Sequence, residues 1–260
     1  MSRRGSIDLT TTIAGVRFPS CFMNAAGARC VTRDELEELG RSRTGAIVTK
    51  SMTVEPRSGK IARVINESRP DLIEVNLSCP NVPGEPQIGY DAEASARLLT
   101  KVRKVVSVPL GVKLPPYFDP AHQEKMVGVL ERGGVEFLSL INSVGNTLVV
   151  DPDRESVVIK PKGGFGGLGG SIIKPVALAN VRAFWKLFGG RLPIIGTGGV
   201  GSGSDAFEHF LCGATAVQVG TTLVEEGVGA FERLEHELAS LLEKKGYASV
   251  LACRGKLKEL

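Results

Sequence analysis

Short apolar runs in this chain stop abruptly at lysine, asparagine, serine or glycine, and helix-like stretches separate them. The runs cover residues 21–25, 46–49, 72–77, 109–114, 137–141, 193–195 and 214–219. Strand followed by helix, repeated, gives parallel strands joined by right-handed crossovers. Apolar strands whose last residues switch to polar ones predict a barrel that carries its site on the carboxy-terminal rim. The expected fold is α/β, a TIM (β/α)8-type barrel formed as a single domain over 1–260. Seven strands are recognisable where a closed barrel takes eight, so one strand–helix unit is missing.

The connecting stretches fill in the rest. Residues 7–18 read as an amino-terminal hairpin lid and 147–170 as a hairpin insertion ending in a glycine-rich turn. Thr32, with Glu35 three residues on, predicts a capping box at the start of the first helix. Further helices are expected over 60–68, 91–106, 120–132, 175–188, 205–212 and 225–245.

The stretch EVNLSCPNVPGEP (74–86) concentrates the chemistry. Pro80, Pro83 and Pro86 cannot continue a strand, so a strand end feeds a stiff loop there. That loop holds Cys79 between hydroxyl and amide side chains, whereas a packing cysteine sits among apolar neighbours; Cys79 is a candidate reactive thiol. Two segments, GFGGLG (164–169) and GTGGVG (196–201), fit GxGxxG spacing. A dinucleotide fold would need an acidic residue after the next strand, but Gly220-Thr221-Thr222 follows Val219. In a barrel, the loops after strands seven and eight hold a phosphate on backbone N–H groups, and Gly198, Gly199, Gly220 and Thr221 stand at those two positions. Lys50, Lys113 and Lys162 each follow or sit in an apolar segment, where an ammonium needs an anionic or polar partner. Asn76, Asn81, Asn142 and Ser143 offer donors and acceptors for a small planar polar substrate.

Other classes fall away. With a net charge of +4 spread along the chain and 5% aromatic residues, no basic-plus-stacking pattern for nucleic acid exists. No apolar run is long enough to span a membrane. The three histidines lie in expected helices without ligand spacing, so no metal is expected. Cys21, Cys30, Cys79, Cys212 and Cys253 form no CxxC pair, which favours free thiols and a reducing compartment.

Several motifs in order along nearly the whole chain carry a family resemblance: MNAAG (23–27), TKS (49–51), NLSCPNVPG (76–84), GVKLPPYFD (111–119), INSVGN (141–146), ESVVIKPKGGFGGLGG (155–170), GTGG (196–199) and VQVGT (217–221). Together they resemble dihydroorotate dehydrogenase of class 1A, whose members are cytosolic homodimers that hold FMN and use fumarate as acceptor. In the membrane-associated class 2, serine stands where Cys79 stands here. The resemblance implies oxidation of dihydroorotate to orotate, with reduction of fumarate to succinate. It implies FMN with its phosphate on Gly198, Gly199, Gly220 and Thr221. Ala26, Lys50, Ser51, Asn76, Lys113, Ile141 and Gly170 would surround the rest of the cofactor. Lys50, Asn76, Asn81, Asn142 and Ser143 would hold the substrate, and Cys79 would act as base.

The chain departs from this pattern after Gly59. There the family continues through a substrate loop, a helix and a strand, whereas this sequence passes directly into KIARVINESRPDLIEVNLSCPN. A second outcome is therefore a flavin- or phosphate-binding barrel remnant without its substrate loop. Thr147, where the family has glycine, and Ala28-Arg29 are smaller departures.

Overall fold

The computed structural model describes residues 7–51, 67–78 and 87–260. Cys79, Asn81, the junction after Gly59 and most of the helix expected over 60–68 lie outside the described residues.

Strands β1 (Thr11–Ile13) and β2 (Val16–Phe18) form an antiparallel hairpin. Its turn uses left-handed conformations at Ala14 (φ 49°) and Gly15 (φ 82°), the pair of positive angles that a two-residue hairpin turn requires. β3 (Phe22–Asn24) leads into α1 (Arg33–Arg41). The capping box forms as expected: the Glu35 N–H donates to the Thr32 side chain, and the Thr32 N–H donates to the Glu35 carboxylate.

β4 (Ile73–Asn76), α2 (Ala92–Arg103), β5 (Leu110–Leu114), α3 (Pro120–Arg132) and β6 (Phe137–Leu140) repeat strand and helix. The insertion then holds β7 (Val144–Leu148), β8 (Val150–Asp151), β9 (Ser156–Val157) and β10 (Phe165–Leu168), with β7 paired antiparallel to β10 and β8 to β9. α4 (Lys174–Leu187), β11 (Ile194–Thr197), α5 (Gly203–Cys212) and β12 (Ala216–Val219) follow. The single helix expected over 225–245 is two, α6 (Thr221–Glu226) and α7 (Ala230–Lys245), because Gly227 takes φ 77° between them.

Six parallel strands make the main sheet, in the order β3-β12-β11-β6-β5-β4. The architecture is a curled α/β half-barrel, a TIM-type barrel in part. Of the seven expected strands, residues 46–49 form none. Their backbone groups are engaged otherwise: Asn24 Nδ2 donates to the Val48 carbonyl (2.7 Å), and the Val48 N–H donates to Asn24 Oδ1 (2.8 Å). One asparagine side chain thus does at this position what a ladder would do.

Alternation within the strands separates two packing regions. Val112, Leu138, Ile194 and Val217 pack into the main core with helical Leu99, Leu130, Phe184 and Phe210. Met23, Phe137, Ile195 and Ala216 face the other way, and Ile13 and Phe18 of the amino-terminal hairpin cover them. The hairpin is therefore no lid over a site. It plugs the end of the half-barrel where the strands begin, fastened by the Thr11 hydroxyl donating to the Thr215 carbonyl. Inside this plugged end Gly111 lies beneath the Phe137 ring, and a Cβ there would come within 2.2 Å of it.

Gly111→Ala forces that ring out of place and is expected to cost about 1–3 kcal/mol, read as a lowered urea midpoint with unchanged m-value. An unchanged midpoint would show that Phe137 moves aside freely.

Candidate active site at the rim of the half-barrel

Hydrogen bonds beyond the ladders draw the strand ends level. The N–H groups of Ala25, Leu77, Ile141 and Asn142 donate to the carbonyls of Val219, Lys113, Thr197 and Leu114 respectively, at 2.8–3.0 Å. A cavity of about 590 Å³ opens at this rim. Ala26, Lys113 and Gly170 line it, as do Ile141, Asn142 and Ser143 after β6. Gly198 and Gly199 after β11, and Gly220 and Thr221 after β12, complete the part expected from sequence.

The loop after β11 is built to stay open. Gly198 and Gly199 take φ 124° and 72°, and a Cβ on Gly199 would lie 2.4 Å from Lys174 Cβ. Lys174 is held by Asp205 (2.7 Å) and Glu208 (2.9 Å), and the bonds to these two carboxylates, Asp205 first, raise its pKa. Asp205 also accepts from the Gly201 N–H and the Ser202 hydroxyl. Thr222 donates to the Val200 carbonyl at 2.9 Å, tying the two glycine-bearing loops together.

Beneath the loop, fully buried His209 lies 3.0 Å from the Gly198 carbonyl through Nε2. A carbonyl only accepts, so Nε2 carries the proton and Nδ1 is left as a buried acceptor without a partner among the described residues. Burial pushes the pKa of His209 down to about 4.

Lys113 reaches the cavity from β5 while only 3% exposed, and among the described residues it has no ion-pair partner. Its Nζ donates to Gln218 Oε1 (3.0 Å), which also accepts from the Thr197 hydroxyl (3.1 Å). Gln218 Nε2 donates to Glu74 Oε2 (2.8 Å), and the Ser139 hydroxyl donates to the same oxygen. Gln218 and Thr197 line the cavity too. Sequence reasoning missed Gln218, Thr197, Glu74 and Ser139, although the isolated polar residues in AVQV and IEVN mark an inward register with a non-apolar task.

The remaining expected residues that are described stand apart from the cavity lining. Asn76 Oδ1 accepts from the N–H and hydroxyl of Ser78 (2.9 and 2.8 Å), and from the cavity side Asn142 Nδ2 donates to the Ser78 carbonyl (2.7 Å). Both amides thus brace the residue immediately before Cys79. Lys50 and Ser51 are exposed, with Lys50 Nζ close over Gly27. Lys162 is exposed on the insertion and does not line the cavity.

A glycine-lined cavity at the carboxy-terminal rim of parallel strands, with buried Lys113 inside, defines an α/β-barrel protein with its candidate site at that rim. The chain belongs to the dihydroorotate dehydrogenase family: the family model described as Dihydroorotate dehydrogenase matches residues 8–69 and 60–242. Dihydroorotate dehydrogenase A (fumarate) of Lactococcus lactis subsp. cremoris (strain MG1363) is 42% identical over 310 residues, covering 97% of this chain and 100% of the relative. Dihydroorotate dehydrogenase (fumarate) of Lachancea kluyveri is 42% identical over 313 residues, covering 98% and 100%. In fold, the chain is similar to dihydroorotate dehydrogenase of Eimeria tenella solved with ferulenol, with a TM-score of 0.75, 17% identity and coverage of 98% of this chain and 90% of that one. An alignment of 310 residues over a chain of 260 means that the Lactococcus protein has positions with no counterpart here. The two family-model matches meet at residues 60–69, where the motif order also breaks.

The His209 shift has a definite sign. Between its unfolded pKa of about 6.5 and the folded value of about 4, the unfolded chain binds a proton that the folded chain does not. Stability is therefore expected to fall as pH drops through that window, by on the order of 3 kcal/mol in all. Urea unfolding at pH 7 and pH 4.5 measures it, and His209→Gln should flatten this part of the profile.

Proposed function

We propose that this chain is an FMN-dependent oxidoreductase, a single FMN-binding domain that converts (S)-dihydroorotate to orotate with fumarate as electron acceptor, a step of pyrimidine synthesis. The observation that carries the reading is the convergence of buried Lys113 and two glycine-bearing loops on one rim cavity, in a chain of this family. The fumarate-dependent names of the Lactococcus and Lachancea relatives support the choice of acceptor.

The residues fit the cofactor. Gly198 and Gly199, with Gly220 and Thr221 opposite, would hold the phosphate on backbone groups, where the left-handed angles and the seat on Lys174 exclude side chains. Ala26, Ile141 and Gly170 would flank the ring system, with Lys50 and Ser51 on the side of β3 and Asn76 on the side of β4. When bound, FMN would supply the two-electron chemistry, hydride acceptance from C6 of the substrate and reduction of fumarate.

The chain's own groups do the rest. Cys79 would take the proton from C5, because a thiol with an ordinary pKa of about 8.5 forms a usable base near neutral pH at hydrogen-bond distance. Lys113 would stabilise negative charge that develops beside it, and a charge so nearly buried acts strongly. Lys50, Asn76, Asn81, Asn142 and Ser143 would orient the substrate, Lys50 through its carboxylate. Asn76 and Asn142 add a second contribution by fixing Ser78, and so the start of the Cys79 loop. The remnant reading has less support, because a chain relieved of catalysis has no need of this polar set.

A homodimer and a cytoplasmic location complete the proposal. The insertion gathers exposed apolar side chains on one short segment, Leu148, Val149, Val150, Val158, Ile159 and Phe165 among them. Such a patch suits a second copy of the chain. Val150→Asp with Val158→Asp should convert a dimeric light-scattering mass to a monomeric one; a wild-type monomer would refute the dimer.

The visible spectrum tests the activity. The purified protein should show a flavin band that bleaches when dihydroorotate is added without oxygen, and Cys79→Ser should keep the band and slow its bleaching at neutral pH by about 100-fold or more. A band that does not bleach would favour the remnant, and equal rates for the variant would remove Cys79 from the base role.

A further inference from the structure

We infer that Gln218 is a positioning residue for Lys113, and that Glu74 sets the orientation in which Gln218 does this. The inference rests on the flavin reading above and assigns the lysine's placement to two residues outside the expected site.

Lysine is a compact charge on a flexible four-carbon stem, so its usefulness at a ligand depends on what holds it. Lys113 stands on β5 and Gln218 on β12, with β6 and β11 between them in the sheet, so their 3.0 Å bond crosses the curled inner face. The amide can lie only one way round. Its oxygen takes two donors, from Lys113 and Thr197, and its nitrogen donates to Glu74. Turning it over would set N–H against N–H at Lys113 and oxygen against oxygen at Glu74. Ser139, donating to the same carboxylate oxygen, holds Glu74 to this task. Side chains from β4, β6, β11 and β12 thus form one network that reaches the β5 cation through Gln218. Of the three donors on Lys113, one is engaged by Gln218, and the cavity lies within reach of the others.

A mere cross-brace would hold the sheet without governing the cofactor, and the flavin midpoint potential separates the two roles. A positive charge held near the reduced, electron-rich flavin makes reduction easier. Lys113→Met should therefore move the potential to more negative values. Gln218→Met, which keeps every charge and nearly the same volume, should move it in the same direction by at least a tenfold change in equilibrium, about 30 mV for a two-electron couple. In the Lys113→Met background, Gln218→Met should have no further effect, because its influence passes through the lysine.

Glu74→Gln keeps an acceptor beside Gln218 but removes the carboxylate that holds the amide nitrogen, leaving Lys113 and Thr197 alone to set it, and its effect should differ between the wild-type and Lys113→Met backgrounds. An unmoved potential in Gln218→Met, or equal shifts in both backgrounds, overturns the positioning role of Gln218. Equal shifts for Glu74→Gln would mean a charge acting directly through space and would overturn the role of Glu74. Wild-type protein without a flavin band would overturn the flavin reading and this inference with it, whereas a normal band with an unmoved potential overturns this inference alone.

Discussion

Parallel strands must all be entered at one end and left at the other, and the layout of this molecule follows from that requirement. Six strands in one parallel ladder gather six strand starts at one end of the half-barrel and six strand ends at the other. The starts face one another across Phe137, Ile195 and Ala216 and are closed by the amino-terminal hairpin. At the ends, backbone groups run out of ladder partners and loops take over, which is where an exposed N–H or a buried polar side chain can be turned toward a ligand.

The inner face divides along its length in the same sense. Its lower layer is apolar and tightly packed, to the point that Gly111 has no room for a methyl group. One step up, the layer is polar and cross-linked, with Lys113, Ser139, Thr197 and Gln218 all nearly or fully buried. Burying that many polar atoms is costly unless each finds a partner, and here each has one. Rigidity below and satisfied polarity above leave the rim with fixed groups on a firm base. Beneath the glycine loop the His209 imidazole, kept neutral by burial, supports the Gly198 carbonyl through Nε2.

Much of this was legible in the sequence because the signals were local. The Thr32–Glu35 box, the glycines at 198–199 and the Lys, Asn and Ser residues closing apolar runs each act where they stand, and the structure brings ten of the expected residues to one cavity. What stayed hidden depends on partners distant in sequence. Residues 46–49 have strand composition, yet whether they ladder is settled by Asn24, whose side chain occupies both backbone groups of Val48. Gln218 looks like one polar residue in an apolar strand until Glu74, far away in the chain, supplies the reason for it. Gly227 reads as an ordinary small residue until its left-handed backbone divides the last long helix.

That asparagine has a bearing on how the family can vary. A ladder fixes register over several successive residues, so a change of length beyond it drags the whole strand out of step. A single side chain clamping one residue transmits no register. Around Val48 the chain is held by separate bonds, Gly45 N–H to the Phe22 carbonyl, Val48 to the Asn24 side chain and Lys50 N–H to the Cys30 carbonyl, instead of zipped along a ladder, while β3 takes its register from β12. The edge of the sheet beside β3 is thus a place where evolution can add or remove a whole strand–helix unit without rewriting the strands that carry the site.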